Sequence, residues 1–130
     1  MQAILSIRPK YVEEILAGRK KYELRKKIFK QNVSTVYIYA SSPTKKIVAS
    51  FKIGKIIENE PIAIWKELNK FLGIEKTDYL KYFEKSSKAY AIEITNLKSF
   101  DPREPEEFVE EFKAPQSYSY LPSSIIQSRL

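Results

Sequence analysis

Gly18 separates a segment with helical spacing from one with strand spacing, so this chain must pass from helix to strand within a few residues. From Pro9 to Ala17, Val12, Ile15 and Leu16 fall on one helical face, and Pro suits the first helical position. Glycine takes the left-handed conformation that closes a helix without a Cβ clash, which lets the chain turn sharply at Gly18. In the extended segment that follows, side chains alternate, so Tyr22 and Leu24 share one face while Glu23 and Arg25 share the other. Lys20 sits in the turn, where strand parity does not fix its direction and it has room to reach the side of Glu23 and Arg25. A Glu and an Arg two apart on a strand are commonly an ordinary solvated ion pair, worth roughly 0 to 1 kcal/mol. The alternative is a cluster in which a ligand meets a donor, an acceptor and a fixed cation together.

The rest of the chain supplies the sheet and helices around that junction. Ala3 to Ile7 reads as a first strand, with Ser6 near its end. The segment Lys26 to Asn32 loses periodicity and gathers charge, as a surface connection does. Ser34 to Ala40 alternates Val36, Ile38 and Ala40 against Tyr37 and Tyr39, and Ile47, Ala49, Phe51 and Ile53 define the inward face of a partner strand across a Ser-Ser-Pro-Thr turn. Pro61 opens a helix with Trp65, Leu68, Phe71 and Leu72 at helical spacing up to Gly73; Trp65 is expected in the core, a base-stacking role being the alternative. Thr77 is placed as the cap of a further helix carrying Leu80 and Phe83, with Tyr79 and Tyr82 partly exposed. Ala89 to Ile94 alternates as a central strand of the same sheet, and residues 101–113 suggest a short acidic helix anchored by Phe108 and Phe112, its acids forming a solvated face. Ser117 to Leu121 has the composition of an edge strand. Strands interrupted by two or three helices predict a mixed α+β architecture, and 130 residues suit one domain over 1–130.

Charge is distributed unevenly. Residues 1–55 carry 13 Lys or Arg against 3 acids, a balance of +10, whereas 101–113 carry 2 bases against 6 acids. Lys26, Lys27 and Lys30 form a candidate phosphate-contacting loop, and basic residues interleaved with tyrosines suit RNA or another single-stranded nucleic acid, because cations neutralise phosphates while aromatic faces stack on bases. A lysine-rich surface also serves solubility alone. The chain has no Cys and no His, which removes thiolate and imidazole metal ligands, so neither metal nor cofactor is expected. No run is long and apolar enough for a membrane span and the amino terminus lacks a signal pattern, so no membrane partner and a cytoplasmic location are expected. There is no G-x-S-x-G elbow, phosphate-binding glycine loop or Cys nucleophile. The remaining chemistry is the Lys20-Glu23-Arg25 constellation, with Ser6, Gln116 and Ser117 as neutral hydrogen-bonding groups for a bound base. A desolvated Lys20 can alternatively serve as nucleophile or base, with Glu23 shuttling a proton.

Gly18, Lys20, Glu23 and Arg25 match the G-x-K-x-x-E-x-R motif of the ASCH family, whose domains resemble the PUA-type RNA-binding barrel. The stretch Ile4 to Tyr11 resembles that family's opening, and Ala114 to Tyr118 a segment near the end of some members. The resemblance implies a small mixed β-barrel with two or three helices packed around it and a ligand held beside the motif. Some proteins resembling this one act as amidohydrolases on N4-acylated cytidine-type nucleosides, with the motif lysine assigned a catalytic role; others are assigned RNA binding or ribonuclease activity. The amidohydrolase relatives have Thr in the place of Glu23 and use a further Glu ahead of a helix, for which Glu75 is only an approximate match. The resemblance therefore favours binding of RNA or a nucleotide, with a metal-independent hydrolase that uses Lys20 and Glu23 as the alternative.

Overall fold

The computed structural model describes residues 1–115 and 118–121. Among the described residues six strands form a single mixed sheet: β1 (Gln2–Ile7), β2 (Tyr22–Arg25), β3 (Thr35–Ala40), β4 (Lys46–Asn59), β5 (Ala89–Arg103) and β6 (Tyr118–Leu121). Their spatial order is β2-β5-β4-β3-β1-β6, and the sheet curls into a half-barrel accompanied by three helices, α1 (Pro9–Leu16), α2 (Pro61–Leu68) and α3 (Lys76–Tyr82). All neighbours are antiparallel except β1 and β3, which α1 and β2 separate in sequence. No helix among the described residues is long and apolar enough to cross a membrane.

Curvature comes from β4 and β5, which pair along their length with repeated register shifts. Each bulge adds twist. One such shift falls between β3 and β4, where Ile38 opposes Ala49 and Tyr39 opposes Ile47, leaving Val48 as the extra residue. It corrects the simple parity read from the sequence. Ala49, Phe51 and Ile53 do join the cluster under α1, but Ile47 turns to the opposite face among Tyr37, Tyr39 and Phe108. Strand β3 is buried on both faces, with Val36, Ile38 and Ala40 toward α1 and Tyr37 and Tyr39 toward Phe108 and Phe112.

The helical region differs from the periodicity in register. Helix α2 stops at Leu68, where the Asn69 side chain donates to the Trp65 carbonyl, and a 3-10 turn over Asn69–Phe71 follows. That turn leaves Leu72 buried and Phe71 exposed, whereas uninterrupted helical spacing would bury both. Trp65 packs half-buried against Tyr79, ring centres 5.0 Å apart. Helix α3 starts from Glu75, not Thr77, and it packs its Tyr79 and Phe83 face against Ile64, Leu68 and Leu72, which buries Tyr79 completely and leaves Leu80 exposed; Tyr82 remains exposed. The Tyr79 hydroxyl donates to Pro61 O at 2.7 Å, and burial pushes its phenol up to about 12.

Residues 101–113 do not form the expected acidic helix. Asp101 to Arg103 end β5, and only a 3-10 turn over Pro105–Glu107 follows, before Phe108 enters the core. A continued helix would stack Glu106 on Glu110 and Glu107 on Glu111, like charges at a destabilising spacing. Strand β6 lies at the sheet edge beside β1. The expected contributions of Gln116 and Ser117 lie outside the described residues.

Candidate functional site

The exit from α1 fixes the first candidate side chain. Gly18, at φ +81°, donates to Ile15 O, and Arg19 donates to Glu14 O, the paired bonds that terminate a helix through a left-handed glycine. The Lys20 N–H also donates to Glu14 O at 3.0 Å, and the next N–H, of Lys21, donates to Phe71 O at 2.7 Å. The turn is therefore tied to the segment joining α2 and α3. Across that joint the Lys20 ammonium donates to Leu72 O at 2.8 Å, leaving the side chain 3% exposed.

Strand parity places the other two groups as the alternation requires. Tyr22 and Leu24 pack beneath α2 and α3, while Glu23 and Arg25 share the opposite face. Arg25 Nη2 donates to Glu23 Oε2 at 2.8 Å and to the main-chain oxygen of Ser6 at 3.0 Å, bridging β2 to the end of β1, which is not its neighbour in the sheet. Glu23 Oε1 lies 3.9 Å from the Lys20 nitrogen. All three charged groups are buried, which excludes the ordinary solvated ion pair. A shared carboxylate between two cations is the arrangement that burial of such groups requires.

These groups form the floor of a cavity of about 690 Å³. Tyr11 from α1 and Tyr82 from α3 supply aromatic walls; the Lys20 ammonium sits 5.4 Å from the Tyr11 ring centre, and the Lys26 ammonium 4.5 Å from that of Tyr82. Arg8, Lys10, Lys26 and Lys81 line the cavity and make it cationic, while Lys10 also pairs with Asp78 at 3.7 Å between α1 and α3. Of the residues expected from sequence, Ser6, Lys20, Glu23, Arg25 and Lys26 meet here. Lys27 and Lys30 are exposed on the adjoining loop but do not line the cavity, and the loop is held to β6 because the Lys30 and Gln31 N–H groups donate to the Tyr120 hydroxyl. Glu75 is exposed at the start of α3 and is not a lining residue.

Sequence reasoning did not find Tyr11, Tyr82 or the Leu72 carbonyl. Gly73 was the available signal. At φ +58°, a Cβ there would fall 2.6 Å from Lys20 Cβ, so the residue after Leu72 has to be glycine for the lysine to reach its carbonyl. Among the described residues no cluster of three or more His, Cys, Asp or Glu is placed to hold a metal ion.

Burial holds the Lys20 ammonium below the usual lysine range; Glu23 and Glu14 oppose the shift, and Arg25 adds to it. In the unfolded chain the same lysine titrates near 10.5. Between the two values the unfolded state binds more protons, so Lys20 makes the fold more stable as pH rises toward 10.5 and less stable as pH falls through its folded value. Urea unfolding of the wild type and Lys20→Met across about pH 7 to 10 should therefore show the difference in stability moving in favour of the wild type as pH increases. A pH-independent difference would mean that the lysine is not desolvated.

A family comparison settles the class of the domain: the model of the ASCH domain matches residues 5–102. The chain belongs to the ASCH family. It is 25% identical over 124 residues to a protein of Zymomonas mobilis named ASCH domain-containing ribonuclease, covering 92% of this chain and 84% of that protein. It is 32% identical over 91 residues to the large ribosomal subunit protein uL22 of Ureaplasma parvum, a match to 68% of this chain but only 29% of that longer protein. The crystal structure of the Zymomonas mobilis ASCH protein superposes with a TM-score of 0.89 at 25% identity, covering 97% of this chain and 91% of that one. A Tyr-to-Phe variant of it gives 0.90 at 24% identity, covering 98% and 94%. In this ASCH domain Lys20, Glu23 and Arg25 of the G-x-K-x-x-E-x-R pattern line the cavity, and Gly18 turns the chain toward it.

Proposed function

We propose that this ASCH domain binds RNA through a cleft that receives one unpaired nucleotide. The observation that carries the proposal is the convergence of Lys20, Glu23 and Arg25 on the floor of a cavity walled by Tyr11 and Tyr82 and lined by further cations. Aromatic faces hold a base by stacking, the cations meet its phosphate, and the carboxylate accepts from an exocyclic or ring N–H. The cavity, at about 690 Å³, is in the range of small-ligand sites and would also take a free modified nucleoside. The names of two relatives, a ribonuclease and a ribosomal protein, support an RNA setting.

Titrating a labelled single-stranded RNA at several salt concentrations tests this. Affinity should fall steeply with salt, and Lys26→Ala, Lys27→Ala and Lys30→Ala combined should flatten the dependence by up to about two log units per log unit of salt, since each phosphate contact on a single strand contributes about 0.7. No binding at low salt, or an unchanged slope in the triple variant, would refute the reading.

A second reading is favoured by the buried amine. Burial eases loss of the Lys20 proton, and once deprotonated the amine beside Glu23 can take the proton of a ribose 2′-hydroxyl as that oxygen attacks the adjacent phosphorus, then return it to the departing 5′-oxygen, with Arg25 compensating the phosphate charge. The ribonuclease name of a relative agrees with it. Cleavage of RNA but not of its 2′-deoxy counterpart would establish this chemistry, and loss of the acyl group from an N4-acylated cytidine would establish the amidohydrolase alternative. Turnover of either kind that survives Lys20→Met would remove the lysine from the reaction.

A further inference from the structure

We infer that the open edge of β2 reads the bound base, with the N–H and C=O of Leu24 forming a donor and acceptor pair toward its polar edge. This rests on the nucleotide cleft proposed above and goes on to assign the recognising group. Three observations converge on it. First, β2 ends the sheet, with β5 on one side and, among the described residues, no strand on the other. Second, Ile94 N–H donates to Lys21 O at 3.0 Å, which fixes the direction of every peptide in the strand. With Lys21 O directed at β5, the planar peptide turns the Tyr22 N–H away from it, and alternation directs both polar groups of Glu23 toward β5 and both of Leu24 outward. Third, Leu24 lines the cavity although its side chain is packed with Tyr22, Ile64 and Leu68 on another side. Leu24 is thus placed to offer the cavity its outward N–H and C=O.

A donor and an acceptor on one extended residue match the neighbouring acceptor and donor that nucleobases carry, such as O4 and N3–H of uracil or N1 and N6–H of adenine. An added peptide strand is the other partner an open edge can take, but β2 spans only four residues, and α1 and α3 are bridged by Lys10 and Asp78 beside the cavity. That space suits a flat group sandwiched by tyrosines better than a continuing strand.

The test is made on the ligand, which leaves the buried Leu24 side chain intact. Tetramers of uridine and of adenosine are titrated into the ¹⁵N-labelled full chain, alongside the same tetramers built from N3-methyluridine and N6,N6-dimethyladenosine. Methylation keeps the phosphates and stacking faces but removes the base donor. At least one unmodified tetramer should bind and shift the Leu24 amide resonance, and its methylated counterpart should bind about tenfold more weakly or worse, with that shift lost. Equal binding of methylated and unmodified tetramers, or binding without movement of the Leu24 amide, overturns the base-reading role while leaving the cleft as a nucleotide site. Failure of every tetramer to bind at low salt overturns both.

Discussion

Lys20→Met should keep the thermal midpoint within a few degrees of the wild type and weaken nucleotide binding by about tenfold to a hundredfold. Methionine matches the lysine's length and apolar stem, so the packing against Gly73 and Tyr11 is retained. The Leu72 carbonyl loses its donor, at a cost of about 1 to 3 kcal/mol, but a buried cation disappears with it and returns much of that through desolvation no longer incurred. Glu23 keeps its bond to Arg25. Binding has no such compensation, since a charge-assisted contact to the ligand contributes about 1.5 to 3 kcal/mol. Differential scanning calorimetry and RNA titration on the same preparation separate the two effects. A variant that unfolds would make Lys20 a structural residue, and one that binds normally would take it out of the site.

Glu23→Leu should have the opposite profile, with a loss of about 3 to 5 kcal/mol of stability and a thermal midpoint lower by roughly 10 to 20 °C. The carboxylate is shared by Lys20 at 3.9 Å and Arg25 at 2.8 Å, and its removal leaves both cations buried without it. Adding Lys20→Met to Glu23→Leu should restore part of the loss, because only one of those cations is then left, and the size of the recovery measures their coupling. Urea unfolding of the four proteins in that cycle checks it. Equal stability of Glu23→Leu and the wild type would mean that water reaches the cluster freely.

The site was legible where local rules decide it. Gly18 announces the turn, and a period of two puts Glu23 and Arg25 on one face, as found. What single-residue patterns cannot encode is which distant element completes the cavity. Tyr11 and Tyr82 sit on different helices, and α3 is capped at Glu75, two residues before the Thr77 that the sequence offers, with its packed face chosen by the elements it meets. The same limit explains Ile47, whose face depends on one extra residue in a hairpin. It also explains Phe71 and Leu80, exposed because α2 stopped early and α3 packs its Tyr79 and Phe83 face. In each case the sequence marks an apolar residue correctly, and tertiary packing chooses its direction.

The Lys20 nitrogen is held by a carbonyl 52 residues further along the chain, on the link between two helices. Its acidity is therefore under remote control. Leu68, Leu72, Tyr79 and Phe83 pack into one cluster and do not line the cavity, yet that cluster positions the Leu72 oxygen and keeps the surroundings of the amine dry. A looser fit among them would admit water beside the ammonium and return it toward ordinary lysine behaviour, with every motif residue still in place. Substitutions in α2 and α3 should thus shift the proton equilibrium of Lys20 while Lys20, Glu23 and Arg25 themselves stay unchanged.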